Sequence, residues 1–148
     1  MDRRELLGVL GTGAAGLVAF NAGGRAVAQE GHEHDKRHDE AIKVTGHCAE
    51  VCNETFRHCF RLTEQGQRDH AHPARLALDC AEFCGLAACL MSRESDLMGE
   101  ACGACAEACK KCADECAKFS SETMKRCADA CRDCEKHCRE MSRMHASH

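Results

Sequence analysis

The chain has no tryptophan and no tyrosine, its aromatic content is 3 %, and it holds a single proline. Without aromatic platforms or a run of basic residues, nothing is in place to stack bases or gather phosphates, which argues against nucleic-acid binding. β-Branched residues hardly ever gather into runs, which argues against a sheet. One proline leaves room for long uninterrupted helices. Large apolar side chains are few as well, so a core filled by leucine is out of reach.

What is present is charge, alanine and sulfur. Asp, Glu, Lys and Arg make up 30 % of the 148 residues, and the formal net charge is −4. That length suits one domain with one core. The composition suits an all-α protein. Fifteen residues are cysteine, a density that in a short exported chain first suggests a disulfide scaffold.

The densest stretch reads Cys102-Gly-Ala-Cys105-Ala-Glu-Ala-Cys109-Lys-Lys-Cys112-Ala-Asp-Glu-Cys116. Steps of three and four fall on one face of an α-helix, so these five thiols form a single stripe. The residues between them are helix formers or solvent-facing charges. A bundle seam normally carries Leu or Ile; this one carries sulfur.

Three other segments repeat the pattern. A first helix from about Ala41 to Glu64 has the stripe Thr45, Cys48, Cys52, Thr55, Cys59, Leu62, and Gly66 is placed to cap it. A second, about Ala74 to Arg93, has Ala77, Cys80, Cys84, Ala87, Met91, with Pro73 in its first turn. Leu76, Phe83 and Leu90 flank that stripe, suited to a neighbouring helix or a second subunit. Cys89 falls on the opposite side from Cys80. A third helix, about Leu97 to Lys118 with Ser95 or Asp96 as cap, adds Met98 and Phe119 to the ends of the five-thiol stripe. A fourth, capped by Ser120 or Ser121, runs to about Met144 with Met124, Cys127, Cys131, Cys134, Cys138, Met141, His145. Short connections between helices of similar length predict an antiparallel up-down-up-down four-helix bundle over residues 41–148, with a cysteine-lined core.

Ahead of the bundle, residues 1–28 read as a removable leader. Arg3-Arg4 precedes a Gly- and Ala-rich apolar run to about Phe20, and Ala26-Val27-Ala28 offers a small-x-small cleavage site. The run is short and weakly hydrophobic, which argues against a membrane anchor. The segment resembles a twin-arginine signal peptide, and that resemblance implies export of an already folded domain to the periplasm or another extracytoplasmic space. Residues 29–40, with His32, His34 and His38 among charges, read as a flexible tail: either a solvated leader or a weak metal trap.

A tube of thiols narrows the chemistry. Cysteines at i and i+3 or i+4 of one helix lie side by side, which suits a shared metal better than an S–S bond. Closed tetrahedral zinc sites use four ligands, and a continuous seam does not divide cleanly into fours. The C-x2-C-x2-C-x3-C-P run of iron–sulfur proteins is missing, and no C-x-x-C is followed by His as covalent haem requires. Redox C-x-x-C pairs sit at helix N-termini, whereas these repeat mid-helix. Cu(I) fits best. It is soft, accepts two or three thiolates, and lets neighbouring ions share sulfurs. At roughly one Cu(I) per thiolate a buried core stays near neutral.

The expected ligands are Cys48, Cys52 and Cys59 on the first helix and Cys80 and Cys84 on the second. The third gives Cys102, Cys105, Cys109, Cys112 and Cys116, and the fourth Cys127, Cys131, Cys134 and Cys138. The first and third helices begin where the second and fourth end, so one mouth gathers Met91, Met98, Met141, Met144 and His145. Thioether and imidazole bind Cu(I) more weakly than thiolate, so Met91, Met98, Met141 and His145 suit transfer inward, or the methionines simply pack. Leu62, Phe119 and Met124 close the other end. Two other readings stay open: a zinc or general thiolate metal buffer, and a thiol-redox protein using Cys89 or a mouth thiol.

Taken together, the twin arginine, the four-helix pattern and the repeated C-x2-C and C-x3-C pairs resemble the bacterial copper storage proteins of the exported type. The resemblance spans about Ala41 to His145. It implies several Cu(I) ions held inside the bundle, a Met- and His-lined mouth, a homo-oligomer (usually a tetramer), no enzymatic activity, and a role in detoxification and in supplying a chaperone or cuproenzyme. Thr55 and Ala87 occupy stripe positions where a ligand could have stood, and Cys89 points elsewhere.

Overall fold

A computed structural model describes the backbone of residues 23–145 and the side chains of residues 36–145. The segment expected as a leader, residues 1–28, lies outside the described residues apart from the backbone of 23–28. The described chain forms α1 (Gly23–Glu64), a 3-10 turn (Arg68–His70), α2 (Ala71–Ser92), α3 (Met98–Cys116) and α4 (Glu122–His145). Among the described residues there is no strand.

The start of α1 departs from expectation. Residues 29–40 were expected to be a tail, and the backbone there is helical. Extending a helix needs no new nucleus, and residues 32–40 contain neither Gly nor Pro. Two tertiary contacts hold this end. Arg37 pairs with Glu140 of α4 at 3.7 Å, and His38 Nε2 lies 3.4 Å from Met98 Sδ on α3.

The helix ends are set by backbone geometry more than by side-chain caps. Gly66 has φ +90°. Its N–H donates to Thr63 O at 3.0 Å and the Gln67 N–H donates to Leu62 O at 3.0 Å. That pair of bonds is a Schellman motif, and the left-handed position favours glycine. The end of α2 repeats it: Glu94 N–H donates to Met91 O at 2.9 Å and Ser95 N–H to Leu90 O at 3.0 Å. Here the left-handed residue is Glu94, at φ 49°. The expected caps of α3 act differently. Leu97 is the N-cap and makes no side-chain cap bond, while Ser95 Oγ accepts the Leu97 N–H at 3.3 Å.

Each helix packs on two neighbours: α1 on α2 and α4, and α3 on α2 and α4. The diagonal pairs, α1 with α3 and α2 with α4, make no close backbone approach. The bundle is therefore a square with a central column, and short connections force the antiparallel up-down-up-down order. All fourteen stripe cysteines are fully buried in that column, together with Thr45, Thr55, Ala77, Ala87, Met91 and Met124. Outside the column, ion pairs join the helices. Arg126 pairs with Glu54 between α4 and α1. Arg139 of α4 reaches Glu107 of α3 at 3.0 Å and Glu135 at 2.8 Å.

The flank of α2 that carries Leu76 and Phe83 meets α3 along a groove of about 340 Å³, also lined by Asp79, Ala104, Glu107, Ala108 and Lys111. Phe83 remains 40 % exposed there. Among the described residues no helix is long and apolar enough to cross a membrane.

Candidate metal centre

Within each helix the periodicity brings sulfurs together at i and i+4. Cys48 and Cys52 are 4.0 Å apart, Cys80 and Cys84 3.9 Å, Cys105 and Cys109 3.9 Å, Cys112 and Cys116 4.0 Å, and Cys134 and Cys138 3.9 Å. Contacts between helices are as short or shorter. Cys52 lies 3.5 Å from Cys131, Cys84 lies 3.5 Å from Cys105, and Cys80 lies 3.6 Å from Cys109. Two contacts cross the diagonal from α2 to α4: Cys80 to Cys131 and Cys84 to Cys134, each 3.8 Å.

These separations have chemical meaning. A disulfide needs sulfurs at about 2.05 Å, and every cysteine here is a free thiol. Sulfurs bound at about 2.3 Å to one tetrahedral ion stand about 3.8 Å from each other. The column is spaced like a ligand array.

Four groups of four buried sulfurs each fall within 4.8 Å of one another. From the closed end toward the mouth they are Cys52, Cys112, Cys127, Cys131; then Cys48, Cys52, Cys80, Cys131; then Cys48, Cys80, Cys84, Cys109; then Cys84, Cys105, Cys109, Cys134. Each group shares two sulfurs with the next: Cys52 and Cys131, Cys48 and Cys80, Cys84 and Cys109. Ten thiols thus form one continuous chain of edge-sharing sites. All four groups can be filled together only if neighbouring ions share sulfurs, which is the bridging that soft monovalent metals accept.

The remaining four expected ligands flank this chain. Cys116 extends it from Cys112, and Cys138 extends it from Cys134. Cys102 is buried near the mouth, where a hydrogen bond from Cys138 favours its thiolate. Cys59 has a different partner: its thiol donates to Met124 Sδ at 3.4 Å. Cys89 is exposed on the outer surface.

Ionisation follows the hydrogen bonding. Hydrogen bonding with Cys109 first, and then with other neighbouring thiols, holds Cys80 and Cys48 well below the usual thiol range. Cys52 and Cys116, bonded first to Cys112 and desolvated, are held above it. Burial pushes the Cys59 thiol up to about 11, with the charges of Cys127 and Cys112 adding to the effect. A metal that enters must displace these protons.

At the mouth Met91, Met98 and Met141 are buried, as a methionine collar would be. His145 packs over Gly99, where a Cβ would stand 3.1 Å from the His145 Cβ. The collar has a further member, His38, through its contact with Met98. The signal for it was in the chain: residues 38, 41, 45 and 48 continue the three-four spacing of α1, and Ala41 and Thr45 are fully buried along it. Thr45 also enters the site, its hydroxyl 3.6 Å from Cys138 Sγ and 3.7 Å from Cys134 Sγ.

A helical bundle with a continuous column of bridging thiols defines a class: a protein built to hold several soft metal ions. The sequence model of the copper storage protein family matches residues 29–143, and the chain belongs to that family. Among solved structures, a Cu(I)-bound copper storage protein, BsCsp3, is 34 % identical, with 72 % of this chain and 98 % of that one covered at a TM-score of 0.66. Metal-free copper storage protein 3 from Bacillus subtilis is 33 % identical over 70 % of this chain and 97 % of that one, at 0.65. A cytosolic copper storage protein from Streptomyces lividans, with five coppers, is 31 % identical over 73 % and 93 %, at 0.67. No curated protein matches the sequence.

The comparisons correct one expectation. An exported, periplasmic location was expected, but a similar structure is that of a cytosolic protein. The expectation rested on residues 1–28, whose side chains lie outside the described residues, and not on the bundle.

Proposed function

We propose that this chain is a non-enzymatic store that sequesters several Cu(I) ions along its thiol column, limiting copper toxicity and releasing the metal to a chaperone or cuproenzyme. The observation that carries this reading is the edge-sharing of the four-sulfur groups. Shared thiolates let two- and three-coordinate Cu(I) pack along the axis, and near one ion per thiolate the buried charge cancels. Zn(II) would bring twice the charge per ion and favours closed sets of its own. The fourteen buried stripe cysteines are the proposed ligands, with Met91, Met98, Met141 and His145 passing metal inward at the mouth. Phe83, half-exposed beside the groove between α2 and α3, supports self-association of this chain into a homo-oligomer.

The test is anaerobic titration of the reduced protein with Cu(I) against a chromophoric chelator. Uptake approaching one copper per core cysteine is expected. Saturation after a few equivalents, or preference for Zn(II) in competition, would sink the reading.

A further inference from the structure

The column does not end in thiols alone. At the end opposite the mouth, Cys59 Sγ lies 3.4 Å from Met124 Sδ, and both residues are fully buried. Cys59 belongs to none of the four-sulfur groups. The two side chains come from adjacent antiparallel helices, α1 and α4, and face each other across the column. Cys127, one turn along α4 from Met124, is close enough to act on Cys59 electrostatically.

We infer that Cys59 and Met124 form a separate terminal Cu(I) site of mixed thiolate–thioether character at the closed end of the bundle. This inference rests on the storage reading and adds a ligand and a site to it. Charge is the first argument. One thiolate and one Cu(I) cancel, and a thioether adds a soft donor without adding charge, so the pair forms a neutral site with no exposure to water.

Geometry is the second argument. A linear S–Cu–S unit with bonds of about 2.3 Å separates its sulfurs by about 4.6 Å. The pair must open by about 1 Å, and Met has three rotatable bonds with which to retreat. Binding is balanced simply: the Cys59 S–H bond is lost, a Cu–S bond forms, and one proton leaves to solvent. No electron is transferred.

Met124→Leu tests this, because the swap keeps the volume of the side chain and leaves the thiols in place. Against wild type, M124L should take up one Cu(I) equivalent less in the anaerobic titration. Cys59→Ser should lose the same equivalent, and the double variant should lose no more than either single one. The second measurement uses wild-type protein with selenomethionine. Its selenium X-ray absorption should show a selenium–copper distance at full loading, and that signal should weaken in M124L.

Equal uptake by M124L and wild type, or an unchanged selenium–copper signal, overturns the inference while leaving storage standing. A wild-type protein that fails to load beyond a few equivalents removes the storage reading and this site with it.

Discussion

Cys80 and Cys131 bring their sulfurs to 3.8 Å although their helices, α2 and α4, stand diagonally across the bundle. This contact closes the middle of the column, and Cys80 belongs to two of the four-sulfur groups. Cys80→Ser should therefore cost more than one ion, about two equivalents of Cu(I), because ions that share a ligand are lost together. Cys89→Ser should cost none, since Cys89 is exposed on the outside. Chelator-competition titrations of both variants check this. A loss of one equivalent or fewer for Cys80→Ser would mean that the sulfurs act independently.

Proton linkage gives a second expectation. The Cys59 thiol ionises at about 11 in the folded protein against an ordinary 9.0. Folding raises this pKa, so between these two values the folded chain holds a proton that the unfolded chain gives up. The contribution of Cys59 is then fully present below about pH 9 and is lost as pH rises through about 11. Melting curves of copper-depleted, reduced protein should show Tm falling across that window, and Cys59→Ser should remove part of the fall. A profile for the serine variant that is superimposable on wild type would contradict the assignment.

The α3–α4 contact makes a contrast between two glycines. A Cβ on Gly99 would meet the His145 Cβ at 3.1 Å and its backbone carbonyl carbon at 3.7 Å, so α4 itself must give way. On Gly103 it would meet Ser142 Oγ at 3.2 Å, an atom that can rotate aside. Alanine favours a helix over glycine by about 1 kcal/mol. Gly103→Ala should keep most of that gain, whereas Gly99→Ala should lose it and destabilise the protein by about 1 kcal/mol. Urea unfolding of the two variants measures the difference, and equal midpoints would refute the packing argument.

Glu94 offers a stabilising change. It holds a left-handed φ of 49° at the end of α2, where Gly66 serves the equivalent place after α1 at φ +90°. A non-glycine residue in that conformation carries a penalty of roughly 1 kcal/mol, partly offset because glycine adds freedom to the unfolded chain. Glu94→Gly should raise stability by about 0.5 kcal/mol with copper capacity unchanged. A lower Tm for this variant would show that the Glu94 side chain contributes more than its backbone costs.

The fold was readable because the cysteines mark helix faces directly. Cys102 to Cys116, at three-four steps, can share a face only on a helix, and all five are fully buried where that face points. Cys89, off the stripe by half a turn, is exposed for the same reason. The helical backbone of residues 29–40 is not legible in the sequence, because His, Glu, Asp and Lys at 32–40 look like solvated residues in isolation. Their helix is supported by the packed turns that follow it and by Arg37 and His38 reaching α4 and α3. The cap of α3 is not legible either, because Ser95 bonds locally just ahead of the helix and leaves Leu97 as N-cap.

The sequence by itself determined that there would be helices, which face of each would be buried, and that sulfur would line the core. All three follow from the 3.6-residue period and from residue type. Only the tertiary structure decided which thiols meet. Cys52 faces Cys131 at 3.5 Å, Cys84 faces Cys105 at 3.5 Å, and Cys59 faces Met124 at 3.4 Å. Distances between helices depend on axial stagger and rotamer, which packing and the connecting turns set. A one-residue change in stagger moves a side chain by about 1.5 Å along the axis, enough to break a contact between sulfurs, and no period along a single helix encodes it.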